Sequence, residues 1–321
     1  MRRLGRALPV ALAAAAALAL PFVLRALGLD FYLSLASRIV VFAIAATSLN
    51  LVLGYGGMVS FGHAAFVGVG AYVTGIMLSE GVQSGVLHLA ATVAITALVA
   101  LMIGGVSLRT RGVYFIMITL AFAQMLFYLA NSVKGYGGDE GLNIRARSLF
   151  SLGDRVLDLK DPLAFYYVAL AVLALTLLAL ARFVPSRFGR AVLALRDDEV
   201  RAEALGFPAY RAKLVVFVVA GALGGVAGAL SVNLQGYVSP NVLHWTQSGT
   251  LMVMVILGGV ATVWGGLVGA AVLLLLQEVL GAYTEHWEFW TGWVLLAVIL
   301  FARRGLVGVL ATLRERRRRS R

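Results

Sequence analysis

The chain has 321 residues, 61% hydrophobic and 13% charged, with a formal net charge of +12. A mean hydropathy of +0.91 excludes a soluble domain of this length, and the absence of cysteine excludes a disulfide framework and thiol chemistry. The polar–apolar alternation of a membrane barrel is missing, and the bilayer otherwise permits only helices, so the fold class is an all-α polytopic membrane protein.

A spanning helix needs about 20 apolar residues. In chain order the apolar runs predict about ten spans, some short or glycine-broken: 7–27, 38–53, 64–79, 86–107, 112–132, 163–182, 212–233, 248–263, 266–281 and 291–302. The start, with Arg2, Arg3 and Arg6, is open to reading as a signal peptide. The run that follows is long enough to span, which favours a retained first helix with its N-terminus inside. Positive charge sets orientation. Arg109 and Arg111, the loop 183–211 and the tail 303–321 then fall inside. The loop 133–162 and the segment 283–288 fall outside, with Trp287, Trp290 and Trp293 as interface anchors. Both termini are therefore expected to be cytoplasmic. The basic residues lie where they orient the chain and touch anionic lipid, so no nucleic acid partner is implied. Residues 1–321 read as one transmembrane domain.

Two places interrupt the apolar pattern without adding charge. One is Gly54-Tyr55-Gly56-Gly57-Met58-Val59-Ser60-Phe61-Gly62-His63. The other is Gly258-Gly259-Val260-Ala261-Thr262-Val263-Trp264-Gly265-Gly266. A pair of short, glycine-interrupted segments points to a transport pathway; ordinary glycine-mediated packing is the competing reading. In 212–233, the stripes Ala220/Gly224/Gly228 and Gly221/Gly225/Ala229 read as tight helix packing. Thr119, Gln124 and Asn131 place polar groups in 112–132, facing either a cavity or another helix. Asn50, Gly57, Ser60, Gly62, Thr119 and Gln124 are the candidate pathway residues.

The long polar segment 182–213 lies between apolar runs. Within it, 197–206 reads as a short helix, capped by Asp197, with Asp198 and Glu199 at the positive end of the dipole, stopped by Gly206 and Pro208. Val200, Ala204 and Leu205 form one small apolar face, a shape for docking another protein; a solvated loop lying on lipid is the alternative. Arg190, Arg196, Asp197, Asp198, Arg201, Glu203, Ala204 and Gly206 are the candidate docking residues. No Gly-x-x-x-x-Gly-Lys-Ser/Thr motif is present, so ATP is not cradled here. The four histidines have no metal-ligand spacing. Arg25, Arg38 and Glu278 sit near the ends of the expected spans. No buried ionisable relay of the kind found in ion-coupled carriers is visible. Energy is expected from outside the chain, and a self-contained carrier or channel is the weaker reading.

The Gly54–His63 stretch within 49–66, Arg109-Thr110-Arg111-Gly112-Val113-Tyr114-Phe115, Gly137-Gly138-Asp139-Glu140-Gly141-Leu142, Phe188-Gly189-Arg190-Ala191 and Ala194-Leu195-Arg196-Asp197-Asp198 carry a family likeness. Over residues 38–308 the chain resembles the membrane subunits of bacterial ABC importers for branched-chain amino acids, of the M-type in the H/M pair. Gly266 departs from the proline of many relatives. The resemblance implies an inner-membrane permease that is not an enzyme and holds no cofactor, ATP being bound by partner subunits. It implies an H-type permease, two cytoplasmic ATPase subunits and an external substrate-binding protein as partners, with 183–211 as the ATPase-coupling loop. Related permeases carry urea, short amides or sugars. With no charge expected mid-span, the chain should pass its substrate without holding it tightly, specificity residing in the binding protein.

Overall fold

The computed structural model describes residues 4–26, 28, 30–152, 155–301 and 305–308. Every apolar run is matched by a helix. In order these are α1 (Leu4–Ala26), α2 (Asp30–Asn50), α3 (His63–Ser79), α4 (Gly85–Ser107), α5 (Val113–Ser132) and α6 (Pro162–Phe183). Two short helices follow, α7 (Arg187–Asp197) and α8 (Glu199–Ala204). Then come α9 (Ala209–Gln235), α10 (Trp245–Gly258), α11 (Gly265–Tyr283) and α12 (Trp287–Phe301). Among the described residues six stretches are long and apolar enough to cross a membrane: Phe31–Tyr55, Gly85–Ser107, Val113–Ser132, Pro162–Phe183, Ala209–Gln235 and Gly265–Tyr283. The basic tail anticipated at 303–321 lies outside the described residues except for 305–308.

The second span differs from expectation at its start. From the sequence this span is expected over 38–53, with Arg38 near its end. Helix α2 begins at Asp30, because Leu33, Leu35 and Ala36 are buried and continue its packed face. Arg38 is therefore inside a spanning stretch, not at its edge.

Helix α9 is central, packed on α3, α4 and α2, while α2 also packs on α6 and α11. Lipid tails are as apolar as leucine, so helices associate by close packing rather than by the hydrophobic effect. The small residues of α9 permit that approach: a side chain at Gly228 would collide with the Val67 carbonyl, and one at Gly70 with Gly225. Around α9, Phe217 meets Phe66 and Phe115 edge-on, at 5.4 and 6.1 Å between ring centroids.

The bundle has two unlike ends. The basic end gathers both glycine breaks, the 108–112 turn and helices α7 and α8. The opposite end is capped by 133–152 and 155–161, within what the sequence presents as a charged loop. There β1 (Leu142–Asn143) pairs with β4 (Tyr237–Val238), and β2 (Leu149–Leu152) with β3 (Arg155–Asp158), all antiparallel. Strands this short leave no alternation to read. The cap is fastened by side chains: Ser148 N donates to Asn233 Oδ1 at 2.8 Å, and Ser148 Oγ lies 2.7 Å from His88 Nδ1.

Candidate functional site

At the first break α2 runs into a π-helical turn, Leu51–Tyr55. The N–H groups of Gly56 and Met58 donate to the Leu51 and Val52 carbonyls, both at 3.0 Å. Gly57 then takes a φ of +68°, which glycine adopts without strain. Helix α3 starts with unsatisfied N–H groups, one of which, from Ala64, donates to Ser248 Oγ of α10 at 2.9 Å. Backbone at membrane depth needs such partners.

The second break turns through Gly259 (φ +125°) and Ala261 (φ +58°). A non-glycine residue in the left-handed region is strained by about 1–2 kcal/mol. Asn50 holds it there. Its Nδ2 donates to the Thr262 carbonyl at 2.7 Å, and its Oδ1 accepts from Ala261 N at 2.9 Å. Asn50 is fully buried, and both ends of its amide are spent on joining the two breaks. Gly266 abuts the backbone and hydroxyl of Thr47, where a side-chain carbon would collide; this accounts for the departure from proline.

The remaining pathway candidates fall beside α5. Gly62 presses on the Thr119 carbonyl with no room for a side chain. Ser60 and Thr119 are fully buried; Ser60 Oγ accepts from Gly62 N at 3.3 Å, and Thr119 Oγ1 donates to the Ile116 carbonyl at 3.0 Å. Gln124 lies farther along α5, its Nε2 buried and without a partner among the described residues. Gly57 opens on a cavity of about 330 Å³ at the basic end, lined also by Val59, Thr110, Arg111, Glu199 and Lys213. One pair escaped the sequence reading: buried His63 has Nε2 2.8 Å from Ser48 Oγ. A histidine closing a glycine break is the sequence signal for it.

The polar segment holds two helices where one was anticipated. Ser186 caps α7, accepting from Gly189 N at 3.0 Å. The Pro185-Ser186 pair was the missed signal. Helix α7 buries Gly189, Val192 and Leu195. The cap of α8 is Asp198, not Asp197. Asp197 ends α7, whereas Asp198 is extended (φ −156°, ψ 98°), the conformation an N-cap needs, and accepts from Arg201 N at 3.0 Å. Gly206, at φ +87°, stops the segment as expected.

Charge clasps α8 to the bundle. Glu199 receives Lys213 Nζ at 2.7 Å and Arg111 Nη2 at 3.5 Å, and Arg111 reaches Glu203 at 3.6 Å. Arg201 pairs with Asp198 at 3.3 Å. Ala202 is turned inward, whereas Val200 and Leu205 are 71% and 73% exposed, and Ala204 is exposed beside them. Arg190 and Arg196 are exposed on α7, and the stem of Arg196 covers Gly57. The docking candidates and the first glycine break thus share one corner.

Toward the capped end, a second cavity of about 240 Å³ opens between α2, α3, α9 and α10, with Arg38, Ser231, Gln235, Ser239, Asn241 and Gln247 among its lining. Arg38 has no ion-pair partner among the described residues; its guanidinium lies 5.8 Å from the centre of the Phe42 ring. A charge at the bilayer centre costs about 2.5–3.5 kcal/mol on an insertion scale; Arg38, exposed and about two turns inside its spanning stretch, bears less, and an exposed cation–π contact offsets about 0.5–1 kcal/mol. The cavity beside it has room for water or a small anion.

A family model described as "Branched-chain amino acid transport system / permease component" matches residues 31–303. The LivM permease protein of the high-affinity branched-chain amino acid transport system of Salmonella typhimurium is 28% identical over 302 residues, covering 85% of this chain and 69% of that protein. LivM of Escherichia coli gives the same identity and coverage. The LivH permease protein of the high-affinity branched-chain amino acid transport system of Escherichia coli is 26% identical, covering 83% of this chain and 91% of LivH.

Proposed function

The chain belongs to the family of branched-chain amino acid transport permease components, and on that premise we propose that it is the M-type membrane subunit of an ABC importer for those amino acids. It sits in the bacterial inner membrane with the basic end and both termini in the cytoplasm. An H-type permease completes the membrane pair, two ATPase subunits drive it, and a binding protein delivers substrate to the capped end. The chain itself is not an enzyme and binds no cofactor; ATP is handled by its partners. Similarity to both LivM and LivH supports a two-permease membrane unit.

The observation that carries the coupling role is the clasp on α8. A helix that only floated on lipid would not need Glu199 held by Lys213 and Arg111. Held in this way, α8 presents Val200 and Leu205 outward to a partner. Force applied there has two routes to the first break: through Arg196 onto Gly57, and through Glu199 and Arg111 into the turn before α5. Gly57, Ser60, Gly62, Thr119 and Gln124 then lie along the part of the pathway that this motion opens, and Asn50 keeps the second break in step.

Co-purification tests the reading. The chain should carry an ATPase with it, and vesicles holding the assembled complex should take up leucine only with ATP and binding protein. ATP-independent uptake by the chain alone would favour the self-contained carrier, and uptake of urea or a sugar instead would reassign the substrate within the superfamily.

A further inference from the structure

We propose that the cavity beside Arg38 is a receiving site for the carboxylate of the transported amino acid, an inference that rests on the transport reading above. Four helices line it, Arg38 is exposed at its edge, and its lining divides by chemistry. Arg38 offers a planar guanidinium suited to bidentate pairing with a carboxylate. The side-chain amides of Asn241 and Gln247 make no hydrogen bond to the described residues, so their oxygens are free to accept from an ammonium group. Val41, Phe42 and Leu251 supply an apolar wall for an aliphatic side chain. The volume, about 240 Å³, falls below the ~300–1,000 Å³ of drug-sized pockets and suits one small zwitterion.

Position favours a solute over a lipid. Arg38 is seven residues beyond Phe31, where the spanning stretch begins, which is about 10 Å along the helix axis. A lipid phosphate lies at the interface, above that level. The cavity also opens at the end where a binding protein would release its cargo. One cation and neutral oxygens make a weak site, which admits substrate and lets it go.

The test uses the assembled importer, with cysteine-free partner subunits, in vesicles of phosphatidylcholine alone or with phosphatidylglycerol. Ser239→Cys introduces the only thiol, the chain having no cysteine of its own. Its modification by a small polar thiol reagent added outside is timed. Leucine at several millimolar, enough to fill most of a site of about 1 mM affinity, should slow modification about threefold. Leucinamide, which lacks the carboxylate, should not. Arg38→Gln should abolish the protection and Arg38→Lys keep part of it. Equal protection by leucinamide, or protection that follows phosphatidylglycerol and ignores leucine, would overturn the proposal. ATP-driven leucine uptake is measured in the same vesicles. Uptake without protection removes the site and leaves the transport reading; protection without uptake does the reverse.

Discussion

The amide of Asn50 joins two stretches of chain more than two hundred residues apart, donating to the Thr262 carbonyl at 2.7 Å and accepting from Ala261 N at 2.9 Å. Asn50→Ala would leave the half-buried Ala261 N–H and Thr262 carbonyl without their partner, a loss of at most about 1–3 kcal/mol. The thermal unfolding midpoint of the purified complex should fall accordingly. Asn50→Asp sets a carboxylate oxygen against the Thr262 carbonyl in a fully buried position and should lower the midpoint at least as far. An unchanged midpoint in Asn50→Ala would show that the breaks are not fastened through this residue.

Coupling should fail without loss of the fold. Gly206 sits at φ +87° with open space around it, a conformation proline cannot adopt. Gly206→Pro and the charge reversal Arg201→Glu should abolish ATP-driven uptake while insertion is kept. Glu199→Gln removes the carboxylate paired with Lys213 and leaves Arg111 paired with Glu203 alone. Because the pairs are partly solvated, stability should drop by less than about 1 kcal/mol, whereas uptake should fall at least several-fold. Normal uptake in all three would mean that α8 transmits nothing.

Topology is checked at Gly138, in the turn that leads to β1. A reporter fused there should be active only on the external side. Activity confined to the cytoplasm would invert the assignment of the capped end.

Ser60→Cys, Thr119→Cys and Gln124→Cys test the pathway in a chain with no competing thiol. Each should react with a small polar thiol reagent in at least one of the nucleotide-free and ATP-bound states. These groups are buried or half-buried in the chain alone, so reaction would require the opening proposed for transport. Protection of all three in every state would make them packing residues.

Much of this protein was legible without coordinates. The bilayer allows few solutions, so apolar runs became helices and charge sorted the loops to two ends. Gly206 was readable as a stop because its φ requirement is local. The cap of α8 was misplaced by one residue because Asp197 and Asp198 have the same cap chemistry; only the backbone turn at Asp198 chose between them. Arg38 reads as a span end because a sequence shows charge but not the cavity beside it. The joining of the two breaks by Asn50 had no sequence signal at all: a hydrogen bond across such a separation depends on how α2 and α10 pack. Composition and periodicity determined which segments enter the membrane. Tertiary packing decided what each polar residue among them faces, because that depends on partners distant in the chain.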